Sequence, residues 1–104
     1  MTEIIKHGTV SIVVHAPTLR LRELTRKVAA KLADADVTSQ TRNEFATIVA
    51  YTASVEGLDW QPPHPQADKR ELAAALDEYL DAVAPELADA WLDGIFPMKP
   101  SPQK

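Results

Sequence analysis

Apolar residues recur at every second position in one part of the chain. Val10, Ile12 and Val14 interleave with Thr9, Ser11, Val13 and His15, the two-residue period of a half-buried strand. Ile4 and Ile5 lie in a shorter β-like run upstream, with His7-Gly8 between the two runs. Gly8 can take the positive φ that a tight turn demands, so residues 2–15 read as a hairpin. Two strands alone are marginal in water. The hairpin is therefore expected to pack on a helix or to pair with another chain.

After Pro17 the period becomes helical. Leu21, Leu24, Val28 and Leu32 recur at helical spacing and predict a helix over about 19–32, with Thr18 as its N-cap. Arg20, Arg22, Arg26, Lys27 and Lys31 fill the remaining faces, which makes the outer side basic. Residues 33–37 form a polar turn. Thr38 or Ser39 then opens a second helix over about 39–56, whose stripe is Phe45, Ile48, Val49, Thr52 and Val55. Gly57 is the expected residue just past its end, with Leu58 making the accompanying apolar contact.

Residues 59–67 hold Trp60 and the run Pro62-Pro63-His64-Pro65. Each proline disfavours helix in the residue before it, and the segment reads as a linker. Asp68 and Glu71, at capping-box spacing, open a third helix over about 69–84 with the stripe Leu72, Leu76, Tyr79, Leu80 and Val83. Pro85 suits the first position of a fourth helix, about 86–93, with Leu87, Trp91 and Leu92 on its apolar face and Gly94 closing it. Trp91 is expected in the core, and Trp60 over the junction of the second and third helices. Residues 97–104, with Pro97, Pro100 and Pro102, read as a disordered tail. The expected fold is α+β, mainly α: one domain over 1–96, built as an N-terminal hairpin followed by three to four helices.

Composition narrows what such a fold can do. With 104 residues, 45% of them hydrophobic and many of those alanine, a modest core is feasible and a large internal cavity is not. The chain has no cysteine, which excludes disulfides, thiolate zinc sites and cysteine nucleophiles. No apolar run approaches the ~20 residues of a membrane span, and Met1-Thr2-Glu3 lacks the basic-then-apolar layout of a signal peptide. A soluble protein of the cytoplasm is expected. The net charge of −4 hides an asymmetry. Residues 1–54 carry seven basic and five acidic groups, residues 55–95 carry two basic and ten acidic groups, and Lys99 and Lys104 follow.

Catalytic and cofactor chemistry finds little support. Only Gly8, Gly57 and Gly94 are present, so no glycine-rich phosphate loop exists. His7, His15 and His64 have no second ligand one turn away, and no metal or cofactor site is assigned. Asp77 and Asp81 lie one turn apart, as do Asp89 and Asp93. Paired carboxylates perform acid–base work only in a pocket that shifts a pKa. These lie opposite an apolar stripe and are expected to face water, so no catalytic residue is assigned. A small enzyme or enzyme subunit using them remains a rival reading.

The first two helices outline a helix-turn-helix. In that motif the second helix reads the groove, yet here it offers only Gln40, Arg42 and Asn43 at its start, and the basic groups lie on the first. A small DNA-binding regulator using the basic helix 19–32 is thus an alternative, and a generic acidic helical interaction module is another. The patches expected to bind a partner are Arg20, Arg22, Arg26, Lys27 and Lys31, the acidic Asp77, Asp81, Asp89 and Asp93, and the apolar pair Ile95 and Phe96 before the tail. Contact between the basic helix of one copy and the acidic helices of another would give head-to-tail association.

One resemblance runs along these residues. The segment from Gly8 through Val14-His15-Ala16-Pro17-Thr18-Leu19-Arg20 resembles the opening of tail assembly chaperones from long-tailed bacteriophages and prophages, where an extended stretch ends in a Pro-Thr or Pro-Ser step and enters a helix. Phe45 to Gly57, with a tryptophan just beyond, is similar to their central helix, and the acidic alanine-rich stretch Asp68 to Gly94 with a short polar tail fits the same plan. The resemblance implies a non-enzymatic protein of the bacterial host cytoplasm that coats the tape measure protein, keeps its hydrophobic helices soluble and helps recruit tail tube subunits. It also implies that a longer, frameshifted form exists in many members. It supplies no catalytic residue and no specific binding residue.

Overall fold

Gly8 takes φ 62° and turns the chain so that β1 (Thr2–His7) and β2 (Val10–His15) pair antiparallel, with Ile5 opposite Ile12 and Ile4 opposite Val13. The computed structural model describes residues 2–96; the tail expected over 97–104 lies outside the described residues. Pairing alternates the two sides of the hairpin. Ile12 and Val14 are buried on the inner face, while Ile4 is exposed on the outer one.

Four helices follow, each started by the residue its local chemistry designates. Leu21 donates its backbone N–H to Thr18 Oγ1 (3.2 Å) at the head of α1 (Leu19–Lys31). Thr38, rather than Ser39, caps α2 (Ser39–Tyr51), accepting from Thr41 N at 3.1 Å. Asp68 Oδ1 accepts from Glu71 N (2.9 Å) to open α3 (Lys69–Ala82). Pro85 is the first residue of α4 (Pro85–Ile95), where its missing N–H has no helical partner to lose.

The second helix differs from its expected span of 39–56. It stops at Tyr51, and Thr52–Glu56 form a third strand, β3, antiparallel to β2 with Val55 opposite Ile12. The sheet order is β1-β2-β3. A bulge between Val13 and Val14 lets Thr52 pair with Val14 while Ser54 pairs with Val13. The reason is tertiary. Val55 continues the helical stripe just as well, but β2 otherwise presents an open edge beside it, and the β-branched Thr52 and Val55 suit that edge. Gly57 accordingly ends a strand and not a helix. At φ 86° a Cβ there would strike the Thr9 carbonyl.

The fourth helix differs at its other end. Gly94 does not close it. The glycine lies inside α4 and faces Ile5, whose side chain fills the place a Cβ would take. The helix therefore continues through Ile95, which is 1% exposed and belongs to the core. The expectation that Ile95 docks on a partner is corrected: it is spent on the protein's own interior.

The core joins both layers. Ile12, Val14 and Val55 from the sheet meet Val28, Leu32, Phe45, Ile48, Val49, Leu72, Leu76, Leu87 and Trp91 from the helices. Trp60, from the proline-rich segment, sits among three helices. Its ring centroid lies 6.1 Å from Phe45, 5.4 Å from Tyr79 and 6.0 Å from Trp91. Each such aromatic pair adds roughly 0.5–1.5 kcal/mol beyond area burial, so Trp60 pins the linker as well as covering the α2–α3 junction. Trp91 is fully buried and donates from Nε1 to Thr52 Oγ1 at 2.9 Å.

Candidate protein-binding surface

Burial leaves few large apolar side chains outside. Leu19 is 72% exposed, Leu80 48% and Phe96 46%. Two of these share a groove. Leu19, at the head of α1, and Phe96, just past α4, line one open groove with Pro17, Thr18, Arg22 and Tyr51. Phe96 packs edge-on to Tyr51 with ring centroids 5.1 Å apart. Burial raises the Tyr51 hydroxyl pKa, and the Arg22 charge partly opposes this. Leu19 also borders a second groove with Arg20, Glu23, Leu24, Lys27 and Gln66. A protruding leucine thus separates two basic-rimmed hollows.

The five basic residues of α1 do not act as one row. Arg20, Arg22 and Lys27 are exposed. Arg26 donates to Glu23 Oε2 at 2.9 Å, with both side chains more than half exposed, a pair worth little in water. Lys31 is half-buried and donates from Nζ to the Ala67 carbonyl at 2.9 Å, which ties the end of α1 to the start of α3. Its role is structural, so its ammonium is engaged within the fold.

Arg42 joins this surface from the other helix. Between α1 and α2 runs an open groove of about 440 Å³ lined by Arg22, Thr25, Arg26, Ala29, Ala30, Ala33, Arg42 and Asn43. The Arg42 Nε is buried and has no hydrogen-bond partner among the described residues.

On the acidic side, Asp77, Asp81, Asp89 and Asp93 are all exposed. Asp77 and Asp36 line a groove with Ala35, Val37, Ala73, Leu76 and Leu80. Leu80, expected within the α3 stripe, stands at its margin and faces out. Lys69 bonds Asp34 Oδ2 at 2.7 Å and thereby holds the Asp34 carboxyl below its usual pKa. Tyr79 is pushed up to about 12, first by burial and then by the negative charges of Glu44 and Asp89. Among the described residues no group of three or more His, Asp or Glu side chains gathers as a metal would need, and no helix is long and apolar enough to cross a membrane.

Leu19 was not singled out from the sequence, although at about 100° per residue it falls opposite the stripe of Leu21, Leu24, Val28 and Leu32. The part played by Arg42 was not legible there, because it depends on how α2 lies against α1. The fold and this surface define a small α+β protein, a three-stranded antiparallel sheet backed by four helices, with charged and apolar grooves at its surface. No family model, no curated protein and no solved structure matches the chain.

Proposed function

We propose that this protein is a non-enzymatic tail assembly chaperone of a bacteriophage or prophage, acting in the bacterial host cytoplasm. It binds the tape measure protein and helps recruit tail tube subunits. The observation that carries this reading is the groove lined by exposed Leu19 and Phe96 together with Arg22 and Tyr51. Apolar anchors with a cationic rim suit the apolar face of an amphipathic helix, the element a tape measure protein would present. The resemblance of the Pro17-Thr18 helix entry and of the acidic C-terminal half supplies the identity of the partner.

Co-expression with the tape measure protein of the same phage or prophage tests this reading. The chaperone is expected to keep that protein soluble and to co-purify with it, and Leu19→Glu to abolish both effects while the variant itself stays folded. A tape measure protein that is equally insoluble with and without this chain would overturn the proposal.

A second observation favours contact between copies. The groove holding Leu80, Asp77 and Asp36 is acidic, and the one holding Leu19, Arg20 and Lys27 is basic. Each has one protruding leucine, and the two surfaces differ, so their contact is head-to-tail.

A further inference from the structure

We infer that the groove between α1 and α2 binds carboxylate side chains of an acidic helix on a partner protein, with Arg22, Arg26 and Arg42 as its cations. The inference rests on reading the protein as a binder of other proteins, but it concerns a different groove from the one that holds Leu19 and Phe96. Arg22 and Arg26 stand one turn apart on α1, and Arg42 reaches the same hollow from the first turns of α2. Three arginines lining one groove concentrate positive charge there. No acidic residue is among those lining it, and Glu23 engages only Arg26.

Hydrogen bonding points the same way. A guanidinium carries five N–H donors and no acceptor; the Arg42 Nε is closed off from solvent by the protein itself, so the donors offered to a partner are the terminal nitrogens. The α2 N-terminus adds positive potential, since its first turn contains no acidic residue. What the groove lacks is acceptor oxygens, and a carboxylate presents two of them in the spacing that a guanidinium fork matches.

The rest of the lining selects the source of those oxygens. Ala29, Ala30 and Ala33 line the groove and are small enough for a partner helix to approach closely. No aromatic side chain lines it for a base to stack on. The chain's net charge of −4, with ten acidic groups in residues 55–95, opposes a long phosphate backbone. An acidic helix that places Asp or Glu between the arginines meets all of these conditions.

The test uses the full chain and a short alanine-rich helical peptide with glutamates one turn apart, with the glutamine version as control. Binding is read by calorimetry and by NMR of the arginine side-chain Nε–H signals. The glutamate peptide is expected to bind, to shift those signals and to weaken as salt rises. Arg26→Gln and Arg42→Gln should each weaken binding about tenfold. Arg42→Lys should also lose affinity, because it keeps the charge but not the planar fork. Arg26 is exposed, so its variant reports binding without a risk to folding. Equal binding of the two peptides, or unchanged binding by both glutamine variants, would overturn the inference. So would arginine-dependent binding of duplex DNA or inorganic phosphate with no response to the peptide, or arginine-dependent self-association with none. Failure with the tape measure protein alone would strike the proposed function and leave this groove standing.

Discussion

Gly94 of α4 lies against Ile5 of β1 so closely that a Cβ on the glycine would overlap the isoleucine Cγ1 and Cδ1. This contact seats the last helix on the first strand, and it explains why a glycine is kept within a helix, where it costs about 1 kcal/mol relative to alanine. It also fixes the rotation of α4 that sends Trp91 and Ile95 inward and leaves Asp89 and Asp93 in water.

Gly94→Ala is therefore expected to destabilise the protein by about 1–2 kcal/mol, because the overlap with Ile5 outweighs the gain in helix propensity. In an Ile5→Ala background the same substitution should become neutral or stabilising by about 0.5–1 kcal/mol. Urea unfolding of the four proteins in this double-mutant cycle measures the coupling. Additive effects would show that the two residues do not touch.

Thr52 joins β3 to α4 through its hydroxyl, which accepts from Trp91 Nε1 at 2.9 Å. Thr52→Val preserves the strand-forming shape and removes the acceptor. It should cost about 1–3 kcal/mol by leaving the indole N–H unpaired in the core. Chemical denaturation followed by tryptophan fluorescence gives the value.

Tyr79 is pushed up to about 12 from an ordinary 10.0. A folded-state pKa above the unfolded value means that the protonated phenol is the form the fold favours. Its contribution is fully present below pH 10 and is lost as pH rises through about 12. Unfolding free energy should fall over that window by an amount on the order of 2 kcal/mol, and Tyr79→Phe should remove most of the fall. Tyr51, also raised by burial, adds in the same direction. Stability curves at several alkaline pH values, paired with tyrosinate absorbance, check the sign.

If the acidic and basic grooves bring copies together, sedimentation velocity should show association at low ionic strength that weakens as added salt shortens the Debye length below ~10 Å. Asp77→Lys should reduce it and Leu80→Glu should abolish it, with little effect on melting, because both side chains are exposed. A strict monomer at high concentration and low salt would count against contact between copies.

The candidate binding surface was only partly visible in the chain. The exposure of Arg20, Arg22 and Lys27 follows from their positions off the apolar stripe, on its flanks. The engagement of Lys31 with the Ala67 carbonyl does not, since its partner lies 36 residues away. Ile95 and Phe96 read alike as neighbours, yet α4 buries one and leaves the other 46% exposed beside Tyr51. Phe96 lies just past the helix, and the seating of α4 on Ile5 turns Ile95, within it, toward the core.

Local chemistry by itself determined the hairpin, the four helix starts and the α+β order. Thr18, Thr38, Asp68 and Pro85 act within one turn of themselves, and Gly8 within one tight turn. Tertiary structure decided where α2 ends, whether the sheet has two strands or three, and why α4 carries a glycine. Residues 52–56 satisfy a helical stripe and a strand equally, and the open edge of β2, some forty residues earlier in the chain, settles the choice. The same is true of the α1–α2 groove: its arginines are ordinary residues in the sequence, and only packing of the two helices sets Arg42 beside Arg22 and Arg26. Short-range hydrogen bonding and steric preference can be read along a chain, whereas edge pairing and groove electrostatics exist only between segments that folding brings together.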